Sequence, residues 1–150
     1  MFDANRPTAA AAQLVGTWRQ LTAVAEAIPS GVKRDVMSKR PIAYVMFSPG
    51  GRMMLMGVNP NRVRPAGEVP TDEEAKYLYS SMIAYGGTYT VNGNQVVYDL
   101  DISWNQLWTG TKQLRYWEIR DGRLTISTPE FIDPFVGGRS IHRITWEKIE

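Results

Sequence analysis

Apolar and polar positions alternate along most of this chain, and that alternation predicts strands. In residues 41–48, Ile42, Tyr44 and Met46 fall on one side and Ala43, Val45 and Phe47 on the other. A period of two is that of an extended chain, and apolar residues on both sides predict burial of both faces. Residues 14–27 form a longer first strand in which Trp18 shares a face with Gln20, Thr22 and Val24 if no bulge intervenes, and Pro29, Ser30 and Gly31 end it. After the turn Ser48-Pro49-Gly50-Gly51, residues 52–58 return as a methionine-rich third strand. Five further signals cover 86–91, 95–103, 112–120, 123–128 and 140–148, separated by Asn92-Gly93-Asn94, Thr109-Gly110, Asp121-Gly122 and the stretch 129–138. Short strands at regular spacing with Gly-containing turns predict an antiparallel meander.

The period changes once. Thr71 followed by Glu74 makes a capping box, Asp72 and Glu73 suit a first helical turn, and Ala75, Leu78, Tyr79, Met82 and Ile83 form one apolar stripe. The pattern predicts a helix over about 72–83 that lays Leu78, Met82 and Ile83 on the open mouth of a barrel, as a lid. The alanine run 9–12 is a helical or frayed lead-in.

Composition narrows the class. At 150 residues, 43% hydrophobic and 21% charged, the chain is expected to be one folded domain over 1–150, large enough for a core or a cup. There is no Cys, so disulfides, thiolate metal sites and cysteine nucleophiles are excluded together. A net charge of +2 gives no argument for a nucleic-acid partner. Lys33, Arg34, Lys39, Arg40, Arg52, Arg62 and Arg64 face only Asp35 between residues 31 and 66. They read first as solvated turns and second as an anion-attracting rim. No apolar run approaches the roughly 18 residues of a membrane span, and the N-terminus lacks a signal-type apolar core. The default expectation is a cytoplasmic protein without membrane contact.

Leu14-Val15-Gly16-Thr17-Trp18-Arg19 resembles the Gly-x-Trp start of lipocalin-type barrels. With Ser48-Pro49-Gly50-Gly51-Arg52, the run Ala84-Tyr85-Gly86-Gly87-Thr88-Tyr89-Thr90-Val91, Trp108-Thr109-Gly110-Thr111, Leu124-Thr125-Ile126-Ser127-Thr128-Pro129 and Arg143-Ile144-Thr145-Trp146-Glu147, the resemblance extends over nearly the whole chain. It is to the small bacterial and fungal lipocalin-like domains, related in shape to the calycin and allene oxide cyclase barrels. The resemblance implies an all-β, eight-stranded antiparallel barrel with Trp18 at its closed end and Arg143 packed across that indole, both structural. The chain departs from the pattern at Tyr98 and Asp99, where a histidine is expected, so histidine chemistry of relatives does not carry over.

Candidate chemistry is sparse. Asp99 and Asp101 share one strand face, with Tyr98, Leu100, Ile102 and Trp104 on the other. They lie in water if the apolar set faces inward; in a poorly solvated cup, mutual repulsion would make one a general acid or base. Arg115, Glu118 and the lone His142 complete the catalytic candidates. No second histidine or cation loop supports a metal, and no strand-loop-helix glycine pattern supports a nucleotide, so no cofactor is expected. Tyr44, Met46, Tyr89, Tyr98, Trp104 and Tyr116 are the expected cavity lining, suited to an apolar or aromatic small molecule with one or two oxygens. Two functions fit: a carrier of an apolar metabolite, or a cyclase or isomerase of a biosynthetic pathway that confines a reactive intermediate. A cavity in which Asp99, Asp101, Arg115 or Glu118 converge favours the enzyme; an all-apolar one favours the carrier. Pairing of the chain with a copy of itself is left open.

Overall fold

The computed structural model describes residues 8–150. Its strands are Gly16–Ala27 (β1), Lys33–Asp35 (β2), Ile42–Phe47 (β3), Arg52–Val58 (β4), Met82–Asn92 (β5), Gln95–Ser103 (β6), Lys112–Arg120 (β7), Arg123–Ser127 (β8), Phe131–Ile132 (β9) and Arg139–Lys148 (β10). The helices are Ala9–Leu14 (α1) and Asp72–Ser80 (α2), and Gln106–Trp108 makes one 3-10 turn. The strands form one antiparallel sheet in the order β2-β1-β3-β4-β5-β6-β7-β8-β10-β9, and β1 also pairs with β10. That extra pairing closes eight strands into a barrel and removes the open sheet edges.

The two short strands sit at one end. β2 pairs with Val24–Glu26 at the far end of β1, and β9 pairs with Arg139 and Ser140 at the start of β10. Ser140 itself lies opposite Ala27, so both additions extend the same rim, the one remote from Trp18. This rim is the mouth.

At the other end the floor is closed by α1 and by the C-terminus. Thr8 caps α1 by accepting from the Ala11 amide, Ala11 and Leu14 are buried, and the Trp18 indole donates to the Leu14 carbonyl at 2.8 Å. Gly16 has φ +133°, and a Cβ there would stand 2.4 Å from the Glu150 carbonyl oxygen. Only glycine lets the last residues cross so closely, where the Thr17 amide donates to that carbonyl at 2.9 Å. Trp18 is 2% exposed. The cation above its ring is Lys148, with Nζ 5.5 Å from the centroid, and not the expected Arg143. The register explains the correction: Lys148 lies opposite Trp18, whereas Arg143 lies opposite Val24, points outward and pairs with Glu26 at 2.9 Å.

Above Trp18 the inward phase of β1 changes. A bulge between Gln20 and Thr22 turns the inner face from Trp18 and Gln20 to Ala23 and Ala25, so Thr22 and Val24 do not share the tryptophan's face. The inner faces of the other strands supply Phe47, Met53, Tyr89, Val96, Tyr98, Leu100, Trp117 and Leu124 to one continuous core. Each such side chain contributes roughly 1.5–3 kcal/mol on burial.

The capping box of α2 forms as expected: Thr71 accepts from the Glu74 amide and Glu74 accepts from the Thr71 amide. The helix ends at Ser80, however, and Met82 and Ile83 continue as β5, because pairing of Met82 with Val58 outcompetes another helical turn. No residue of α2 is fully buried, so it stands as a shelf at the mouth.

Candidate functional site

Side-chain size decides where the barrel is hollow. Toward the floor, large aromatics meet in the middle; toward the mouth, the inward positions include Ala23, Ala43 and Gly57. A cavity of about 80 Å³ remains there, walled by these small residues together with Leu55, Ile83, Tyr85, Trp108, Ile144 and Trp146. Its polar wall groups come from Gln20, Thr128, Arg115 and His142. Val36, Met37, Pro134 and Phe135 separate the cavity from an outer vestibule of about 500 Å³, which Tyr77, Tyr79 and Ser80 of α2 flank. Ring contacts run from that shelf inward: Tyr79 on Trp104 at 6.2 Å, Trp104 on Phe135 stacked at 6.2 Å, Trp104 on Trp108 at 5.2 Å, and Trp108 on Tyr85 at 5.6 Å.

One buried ion group holds the mouth together. The Asp133 carboxylate has no exposed surface and accepts from Arg34 at 2.6 Å, from His142 Nε2 at 2.8 Å and from the Phe135 amide at 2.9 Å. It thereby ties β2, the 133–138 loop and β10. Because a carboxylate only accepts, Nε2 carries the imidazole hydrogen and Nδ1 keeps its lone pair. Burial lowers the His142 pKa; the Asp133 carboxylate opposes that change, and the nearby cations Arg34 and Arg115 add to it. Burial also raises the Tyr85 and Tyr98 phenols, an effect that Arg115 partly offsets at both.

Two of the five expected catalytic groups reach the interior: Arg115 and His142 line the cavity. Asp99, Asp101 and Glu118 lie outside, paired with Lys112 at 2.7 Å, Arg52 at 2.8 Å and Arg120 at 3.6 Å. On β6 the inward set is Val96, Tyr98 and Leu100, which leaves both aspartates in water. The expected lining is corrected more widely, since none of its six residues borders this cavity. Tyr44 and Met46 point outward on β3, 43% and 52% exposed, because Ala43, Val45 and Phe47 occupy the inner face. Tyr116 points outward on β7, between the inward Arg115 and Trp117. Tyr89 and Tyr98 do point inward but belong to the filled half, where Phe47 packs on them at 5.1 and 6.2 Å. Trp104 borders the vestibule.

Asp133 was missed. Its one sequence signal is an acid set inside the apolar run Phe131-Ile132-Asp133-Pro134-Phe135, where an ionised group needs a partner once the run is buried. No group of three or more His, Cys, Asp and Glu that could hold a metal ion occurs among the described residues, and none of their helices is long and apolar enough to cross a membrane.

The model of a family described as lipocalin-like domain matches residues 15–149. Among solved structures, a lipocalin-like protein from Bacteroides uniformis is 14% identical with a TM-score of 0.47, over 91% of this chain and 99% of that one. A protein from Bacteroides eggerthii described as uncharacterized is 13% identical with a TM-score of 0.44, again over 91% and 99%. A search of curated proteins finds no match.

Proposed function

The chain belongs to the lipocalin-like domain family, and from that premise we propose that it binds a small, mainly apolar molecule in the mouth half of its barrel. The observation that carries this reading is the hollow itself. Small residues on adjoining strands leave a cavity bounded by apolar and aromatic side chains with a few polar groups among them, which is the make-up of a binding site and not of a packed core. At about 80 Å³ it is well below the roughly 300–1,000 Å³ of drug-sized sites, so the guest is small, or Met37 and Phe135 move and admit it through the vestibule. A titration with 3-phenylpropanol, followed by the indole signals of Trp108 and Trp146, tests this. Saturation at one molecule per chain supports the reading; no change in either signal up to millimolar probe removes it.

The His142–Asp133 pair favours a second reading, that of a cyclase or isomerase. An imidazole oriented by a buried carboxylate and placed in the cavity wall is equipped to take up and return a proton. The lowered pKa keeps it in the basic, neutral form at physiological pH. Ligand recovered from the protein after exposure to D2O separates the two readings. Carbon-bound deuterium with the wild type and none with His142→Gln supports proton transfer; an unlabelled ligand in both leaves a carrier.

A further inference from the structure

Arg115 is the one formally charged residue in the cavity wall when His142 is neutral, and no carboxylate answers it. Of its N–H groups, Nη1 donates to the carbonyl of Leu114 at 2.8 Å and Nη2 to the amide oxygen of Gln113 at 2.6 Å. Its guanidinium carbon lies 5.7 Å from the centre of the Tyr98 ring. Among the described residues it has no Asp or Glu within 4.0 Å, and no Asp or Glu lines the cavity. The carboxylate of Asp133, behind His142, is already engaged by that imidazole and by Arg34.

A half-buried cation with only neutral partners is an unfavourable arrangement for folding alone. Withdrawal from water weakens its solvation, and two neutral acceptors return only part of it. One further unanswered donor lies in the wall. Trp146 lines the cavity, and its indole N–H is buried without an acceptor among the described residues. Gln20, Thr128 and the Nδ1 lone pair of His142 supply acceptors in the same wall, but all of them are neutral. At the mouth, the segment that supplies Val36 and Met37 carries exposed Lys33, Lys39 and Arg40 against Asp35, while α2 carries Asp72, Glu73 and Glu74 against Lys76.

Resting on the binding function proposed above, we infer that the guest is an organic anion, a small carboxylate with an apolar or aromatic body. Its carboxylate pairs with the Arg115 guanidinium, whose planar fork matches two carboxylate oxygens. The apolar body lies against Leu55, Ile83 and Ile144, and Met37 and Phe135 cover it on the mouth side.

A matched pair of probes tests this: 3-phenylpropanoate and 3-phenylpropanol, titrated at pH 8 into wild type, Arg115→Met and Arg115→Lys. The expected result is at least about tenfold tighter binding of the acid by wild type, lost in Arg115→Met, with the alcohol affinity changed less than about twofold. Arg115→Lys, which keeps the charge without the fork, retains part of the preference. Equal wild-type affinities for acid and alcohol overturn the anion inference and leave the binding function standing. Absence of binding by both probes overturns the two together. If Arg115→Met fails to fold, the wild-type ratio and Arg115→Lys still decide the question.

Discussion

The two halves of the barrel are made from the same strands and differ in what those strands carry inward. Near the floor, Trp18, Phe47, Tyr98 and Trp117 fill the space between opposing strands, and α1 caps them. Near the mouth, Ala23, Ala43 and Gly57 leave it empty, and the closing elements are side chains on connecting segments. The floor is therefore where stability is concentrated, and the mouth is where packing has been given up for access. The difference lies in the volume of the inward residues and in the β1 bulge after Gln20, which turns Ala23 and Ala25 inward at the mouth.

Substitutions aimed at one half or the other can break that comparison. The largest effect is expected for Trp18→Ala, which removes an indole 2% exposed together with its bond to the Leu14 carbonyl. Denaturant unfolding should show a loss of about 3–5 kcal/mol, while the folded fraction keeps its affinity for probe. A loss below about 1 kcal/mol would contradict the packed floor. Ala23→Leu addresses the other half. By filling the hollow it should weaken 3-phenylpropanol binding more than about tenfold while stability stays within about 1.5 kcal/mol of wild type. If instead Ala23→Leu destabilises as strongly as Trp18→Ala, the two halves are one tightly packed core.

Smaller effects sharpen the picture at the rim. Thr71→Ala deletes the side-chain half of the α2 cap and should cost about 1 kcal/mol. With no residue of α2 fully buried, the change should appear as faster hydrogen exchange in residues 72–80 with little shift in the global midpoint; unchanged exchange would show that packing and not the cap holds the shelf. The smallest effect concerns His142. Its folded-state pKa lies below the ordinary 6.5, so below that pH the unfolded chain binds the proton more readily. Stability should then fall as pH drops from 6.5 toward the folded value and level off beneath it, and His142→Gln should flatten that segment of the profile. A wild-type profile that rises on acidification through this window would reverse the assigned direction.

Much of the architecture was legible because it rests on local rules. The alternation in residues 42–47, the turns after Ser48 and Asn92, and the Thr71 capping box depend on neighbours a few positions apart, and each formed. Gly16 and Trp18 pointed to the floor through their resemblance to the start of lipocalin-type barrels, and the structure gives the reason: the chain is crossed at the glycine, and the indole is buried where the strands converge. The candidate site was less legible. Strand periodicity states that Tyr44 and Ala43 face opposite ways but not which of them is inside, and here the smaller residue is.

What the sequence by itself determined is the eight barrel strands and their antiparallel order, because these follow from period and turn chemistry; the closed end came with the family resemblance of Gly16 and Trp18, and the short β2 and β9 were not among the expected strands. Tertiary structure decided the rest. The bulge after Gln20 reversed the inner face of β1, and the register of β10 placed Lys148, not Arg143, over Trp18. Closure of the barrel brought Arg34, Asp133 and His142 into one ion group across 99 and 9 positions of chain. It also left Arg115 without an acid. Those outcomes depend on which residues meet across the barrel, a property of register and closure that no local pattern encodes.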